Sequence, residues 1–233
     1  MLNASSLIMD FGDSMQKIKL LGLDFDGTVA HYPYPSAWEV IAQEIGCIDE
    51  DNALRRSYYN GEFDVRTWSF KSVELYKKYG LTRSLFRQLF ATKMKPAVGA
   101  LELLTELHRK KIKTAIISGS IKEVYEIFEK KFGVSVDFVR IAHQFDFDDN
   151  GFLSGGYFTN QDFEGKVGAL KEICNTEGID VEECAFVGNG TNDIPIFNTV
   201  GMSFAFNPEK QEVVENADVI IHNDDISEVL KYL

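Results

Sequence analysis

The sequence predicts an α/β protein built on a doubly wound parallel sheet, with a helical insert after the first strand and one β-hairpin. Three observations carry this reading. Short apolar runs alternate with amphipathic helical patterns along most of the chain. The first run, from Ile18 to Phe25, is almost uninterrupted and stops at Gly27, as expected for a strand buried on both faces of a parallel sheet. The stretch from Ser36 to Phe90 contains no comparable run.

Taken in chain order, the opening segment MLNASSLIMDFGDSMQK lacks a basic start followed by a long apolar stretch. Residues 1–16 therefore read as a poorly ordered tail rather than a secretion signal. Ile18 to Phe25 is the expected first and central strand. In the insert, Trp38, Ile41 and Ile45, then Leu85, Phe86, Leu89 and Phe90, recur at helical spacing. Pro96 is expected to open a helix carrying Leu101, Leu104 and His108, and KTAIISGS follows as a second buried strand. Ile121, Val124, Tyr125 and Phe128 mark the next helix and VDFVRIA the third strand. HQFDFDDNGFLSGGYF alternates aromatic and polar residues around Asp149, Asn150 and Gly151, which predicts a β-hairpin. Asp146, Asp148, Asn150 and Gly151 also match the opening of a calcium loop, but the twelfth position is Tyr157 instead of the bidentate Glu. A helix from Gly165 to Thr176 turns Val167, Leu170 and Ile173 inward, and CAFVG, MSFAF and DVIIH complete the series of strands.

Composition narrows the function classes. With 45% apolar and 26% charged residues among 233, disorder and fibrous architectures are poor readings. A formal net charge of -12 opposes general association with nucleic acid or anionic membrane. It does not exclude anionic substrates, because a bound cation can reverse the potential inside one cleft. Cys47, Cys174 and Cys184 show no CxxC spacing, so neither zinc nor a disulfide framework is suggested and a cytosolic (cytoplasmic) protein with core thiols is expected. No apolar run approaches the roughly 20 residues needed to cross a bilayer.

Four motifs bear chemistry. LDFDGTV sets Asp24 and Asp26 at the carboxyl end of the central strand, the edge where ligands bind in open α/β sheets. Two carboxylates this close call for a cation or a shared proton, which suggests magnesium; a pair of turn-forming aspartates is the plainer alternative. IISGS puts Ser118 and Gly119 between a strand and a helix, where a hydroxyl and amides hold phosphate oxygens or simply cap a turn. Lys166 opens a helix, an unfavourable place for a cation against the helix dipole. FVGNGTNDIPIF delivers Asn189, Asn192 and Asp193 into a glycine-bearing loop, and Asp193 in the place of the third glycine argues against a dinucleotide fingerprint.

As a set these residues resemble the haloacid dehalogenase (HAD) superfamily: DFDGT as its first motif, ISGS its second, Lys166 its third and GNGTND its fourth. The resemblance covers Lys17 to Leu233 and points to the phosphoserine phosphatase-like subgroup. It implies a HAD-like Rossmannoid core of residues 17–33 and 95–233, with residues 34–94 forming a small helical cap that opens and closes over the crevice. It also implies a magnesium-dependent phosphatase in which Asp24 attacks phosphorus to give an aspartyl-phosphate and Asp26 serves as general acid and base. Ser118, Gly119, Lys166 and Asn192 would hold the phosphate, and Asp24, the Asp26 carbonyl, Asn189 and Asp193 the Mg2+. Members that dehalogenate lack the second aspartate, so Asp26 favours phosphoryl transfer.

Two departures from the family pattern matter. Asn189 stands where the fourth motif commonly has a metal-binding Asp, so weak magnesium binding is expected. The glutamate that phosphoserine phosphatases carry nine residues after the nucleophile is here Pro33. Glu39 is the nearest acidic candidate, and Arg55, Arg56 and Arg66 are the available cap arginines. The expected substrate is a small phosphorylated metabolite, with phosphoserine one candidate. A phosphotransferase using the same intermediate, or a catalytically silent magnesium- or phosphate-binding module, are the alternatives.

Overall fold

The computed structural model describes residues 17–208 and 210–233; the expected tail, residues 1–16, lies outside them. Strand β1 (Leu20–Leu23) has all four residues buried, as its unbroken apolar run requires. Leu21 and Leu23 join the core on one face of the sheet and Leu20 that on the other, following the two-residue period of a strand.

After β2 (Ala30–His31) come four helices: α1 (Ala37–Glu44), α2 (Ile48–Tyr59), α3 (Val65–Lys78) and α4 (Arg83–Lys93). Ser36, Asp64 and Thr82 cap α1, α3 and α4 by accepting the backbone N–H three residues on. The chain returns through β3 (Lys95–Pro96), antiparallel to β2 with His31 opposite Lys95 and Ala30 opposite Pro96. Pro96 therefore does not open a helix. The Ala97 amide still donates to the Val29 carbonyl, and the chain stays extended until Gly99, whose φ of 76° lets α5 (Ala100–Lys110) begin.

The remaining elements are β4 (Lys113–Ile121), α6 (Lys122–Phe132), β5 (Phe138–Phe147), β6 (Leu153–Phe158), α7 (Glu164–Glu177), β7 (Cys184–Gly188), α8 (Ile194–Phe197), β8 (Met202–Phe206), α9 (Gln211–Glu215) and β9 (Val219–Ile221), with a final 3-10 turn over Ile226–Tyr232. The sheet runs β6-β5-β4-β1-β7-β8-β9, parallel throughout except for β6, so β1 is central. Helices α5 and α6 pack on one face and α7 and α8 on the other, which is the doubly wound arrangement.

The third expected strand and the first arm of the hairpin are one strand, β5, because no turn residue interrupts Phe138–Phe147. The turn falls at Asp148–Gly151, with Gly151 at φ 83°. The Asp148 carboxylate accepts the Phe152 amide at 2.8 Å, a use that suits a turn rather than a calcium loop. One apolar cluster runs from the four-helix segment into the sheet, with Trp38 and Phe86 both against Phe145 at 5.4 and 5.8 Å. In the same seam His143 is buried, with Nε2 3.3 Å from the Ser69 hydroxyl, and burial pulls its pKa down to about 3. All three cysteines are free and buried, and the thiols of Cys174 and Cys184 touch at 3.3 Å. Among the described residues no helix is long and apolar enough to cross a membrane.

Candidate active site

The topology brings the four motifs to one sheet edge. Asp24 follows the last residue of β1, and its amide still donates to the Val187 carbonyl of β7. Ser118 and Gly119 lie near the end of β4, where the ladder to β5 changes register between Ser118 and Ile121. Asn189 follows β7 directly. Together these residues, with Asp26 and Asn192, line one side of a cleft of about 540 Å³. Trp38, Glu39, Arg55, Tyr58 and Trp68 from α1, α2 and α3 line the other.

Lys166 lies fully buried beneath this floor, in the first turn of α7. Its ammonium is 2.6 Å from Asp193 Oδ1 and 3.0 Å from Asp24 Oδ1. Burial works against the charge, but Asp193 and Asp24 outweigh it and hold the lysine well above its usual range. The two carboxylates account for a cation placed against the helix dipole.

Asp193 is equally buried, and its second oxygen accepts the amides of Asn189 and Gly190, both at 3.0 Å. Both oxygens of Asp193 therefore already accept hydrogen bonds, Oδ1 from Lys166 and Oδ2 from the loop amides. Gly188 permits this closeness, since a Cβ there would stand 2.3 Å from the Asp193 carboxylate.

Asp26 is held by three donors. Tyr32 and Ser120 donate their hydroxyls to Oδ1 at 2.8 and 3.0 Å, and the Ala37 amide donates to Oδ2 at 3.1 Å. Its pKa is nevertheless pushed up to about 6, first by burial and only secondarily by Asp24, while the three donors pull it down. Proximity to Asp24 is the smaller of the two raising causes.

The Asn189 amide packs on the first motif. Its oxygen accepts the Thr28 hydroxyl at 3.2 Å, and a Cβ on Gly27, at φ 76°, would meet its nitrogen at 2.5 Å. Asp24 and Asn189 both line the cleft, and carboxylate and amide oxygens are hard donors that suit a hydrated magnesium ion. Asp24 supplies the full negative charge of that pair. Among the described residues no group of three His, Cys, Asp or Glu side chains is arranged to hold a metal.

Asn192 donates to Asp162 Oδ1 at 2.8 Å, and the Tyr58 hydroxyl donates to Asp162 Oδ2 at 2.9 Å. Glu39 lines the cleft 4.0 Å from Arg55, which bonds Asp51 at 3.2 Å. Pro33 faces a neighbouring groove and Arg66 a separate one beside Tyr157. Sequence reasoning missed Tyr32, Ser120, Tyr58 and Asp162. Ser120 ends the ISGS motif and could have been found there; the other three carry no motif.

Residues 21–198 match the haloacid dehalogenase-like hydrolase family. The phosphoserine phosphatase of Methanocaldococcus jannaschii is 28% identical over 221 residues, covering 94% of this chain and 99% of the relative. That of Streptococcus thermophilus is 30% identical over 196 residues, covering 82% of this chain and 86% of the relative. A solved phospho-aspartyl intermediate analogue of phosphoserine phosphatase superimposes with a TM-score of 0.78 at 28% identity, over 93% of this chain and 99% of its own.

Proposed function

This chain belongs to the haloacid dehalogenase-like hydrolases and is a phosphatase of the phosphoserine phosphatase-like subgroup, and we propose that it hydrolyses a small phosphate monoester through an aspartyl-phosphate on Asp24. One observation supports this most directly. Two carboxylates stand at the tip of the central strand in different electrostatic surroundings, Asp24 beside the Lys166 ammonium and Asp26 buried with its pKa at about 6.

In the first step an Asp24 oxygen bonds to phosphorus as the ester P–O bond breaks, and Asp26 gives its proton to the departing alkoxide. In the second, water attacks phosphorus, Asp26 takes its proton, and the Asp24 carboxylate is restored with release of inorganic phosphate. Tyr32, Ser120 and the Ala37 amide fix the Asp26 carboxyl for both transfers. Lys166 fixes Asp24 and offsets its charge. Ser118, the Gly119 amide and Asn192, which line the cleft, would receive phosphate oxygens, with Lys166 adding charge from below. A magnesium ion held by Asp24 and Asn189 would supply positive charge against the anionic ester.

Phosphoserine is the first substrate to test, because the relatives above carry that name. The cleft offers Glu39 and Arg55 for its amino-acid moiety, while Pro33 lies elsewhere. Phosphate release should be measured with magnesium across a panel of monoesters, for wild type and Asp24→Asn. Activity confined to wild type supports the covalent route, and equal rates eliminate it. Phosphoserine turned over no faster than a generic ester removes it as the substrate. A catalytically silent phosphate-binding module is favoured by Asn189 alone, and release of phosphate by wild type ends that reading.

A further inference from the structure

Asp162 lies in the turn before α7, outside every motif, yet it lines the cleft between Gly119, Asn192 and Tyr58. It lies flat against Gly119, where an added Cβ would be 3.4 Å from Oδ1 and 3.6 Å from Cγ. Its Oδ1 accepts the Asn192 amide, and its charge acts on Lys166. Its Oδ2 accepts the hydroxyl of Tyr58 on α2, which stacks on Trp68 of α3. One anionic group thus engages the surroundings proposed above for phosphate oxygens, and the same group ties them to the helical segment.

We propose that Asp162 is a resident anion that stands in for substrate phosphate, competes with it for Asn192, Gly119 and the field of Lys166, and releases Tyr58 when displaced. The enzyme then holds inorganic phosphate weakly, because an intramolecular carboxylate returns to the same donors as the product leaves. This inference rests on the reading that the cleft receives a phosphate monoester. A carboxylate that only orients Asn192 predicts the opposite sign, since removing its charge would loosen Asn192 and weaken phosphate binding.

The test is calorimetric titration of inorganic phosphate into wild type, Asp162→Asn and Tyr58→Phe. Asp162→Asn removes the competing charge and should bind phosphate about tenfold tighter. Tyr58→Phe cuts one of the two tethers, carries a smaller folding burden, and should tighten binding about threefold. Phosphate affinity unchanged or weakened in Asp162→Asn overturns the inference; if that variant does not fold, the same result in Tyr58→Phe does so. Wild type that releases no phosphate from any monoester, with neither it nor either variant binding phosphate, overturns the proposed function as well, whereas wild type that hydrolyses a monoester with neither variant binding phosphate tighter overturns this inference alone.

Discussion

Replacing Lys166 with Met keeps the length and most of the volume of the side chain but removes a fully buried charge from between Asp193 and Asp24, at 2.6 and 3.0 Å. Breaking one partner out of a buried ion pair costs about 3–5 kcal/mol, because the remaining charge is left desolvated without compensation. For a chain of this size each kcal/mol lowers Tm by roughly 2–4 °C, so a fall of about 6–20 °C is expected. Adding Asp193→Asn removes one of the stranded charges while the new amide oxygen still accepts the Asn189 and Gly190 amides. The double variant should then be more stable than the sum of the single losses by about 1–3 kcal/mol. Thermal and urea melts followed by circular dichroism at pH 7 give all four corners of the cycle. Phosphate release measured below the lower Tm should fall by about 10²–10³ in Lys166→Met. A loss of less than about 1 kcal/mol, or strict additivity in the cycle, would refute the buried network as the support of Asp24.

Two further outcomes follow from groups described above. The folded chain depresses the His143 pKa from 6.5 to about 3, so the unfolded state binds a proton that the folded state refuses. Stability contributed by neutral His143 is therefore complete above pH 6.5 and lost as pH falls toward 3, by about 3 kcal/mol at pH 4.5. His143→Gln should lack that increment of acid sensitivity, and parallel stability–pH curves for the two proteins would rule it out. Exhaustive chelation should abolish phosphate release. Asn189→Asp, which gives the Asp24–Asn189 pair a second carboxylate, should lower the magnesium concentration for half-maximal rate about tenfold. Full activity after chelation removes a metal role altogether.

The placement of three of the four motifs was legible in the sequence because each follows a buried apolar run, and parallel strands all end at the same edge, whereas Lys166 reaches that edge from the first turn of α7. Ile18 to Phe25 announced the central strand for the same reason: only a strand covered on both faces can be apolar without alternation. What the motifs touch was not legible. Asp193 and Asn192 stand next to each other in the chain, yet one is locked under the floor by Lys166 and the other lines the cleft beside Asp162. That difference depends on depth within the loop, which spacing does not encode. Pro96 failed as a helix start because its fixed φ suits an extended pair as well as a first helical turn, and the pairing partner, Ala30, is 66 residues upstream. Burial as the leading influence on Asp26 likewise required the packing of Tyr32 and α1 around it.

The short ribbon formed by β2 and β3 has a topological consequence. His31 and Lys95 are neighbours across it, so the intervening residues leave the sheet and rejoin it through a single doorway. The order of the seven strands does not run through that excursion, although Trp38 and Phe86 pack from it onto Phe145 of β5. The helical wall of the cleft is thus held by packing on β5, while the strand tip bearing Asp24 is held by the pairing of β1 with β4 and β7.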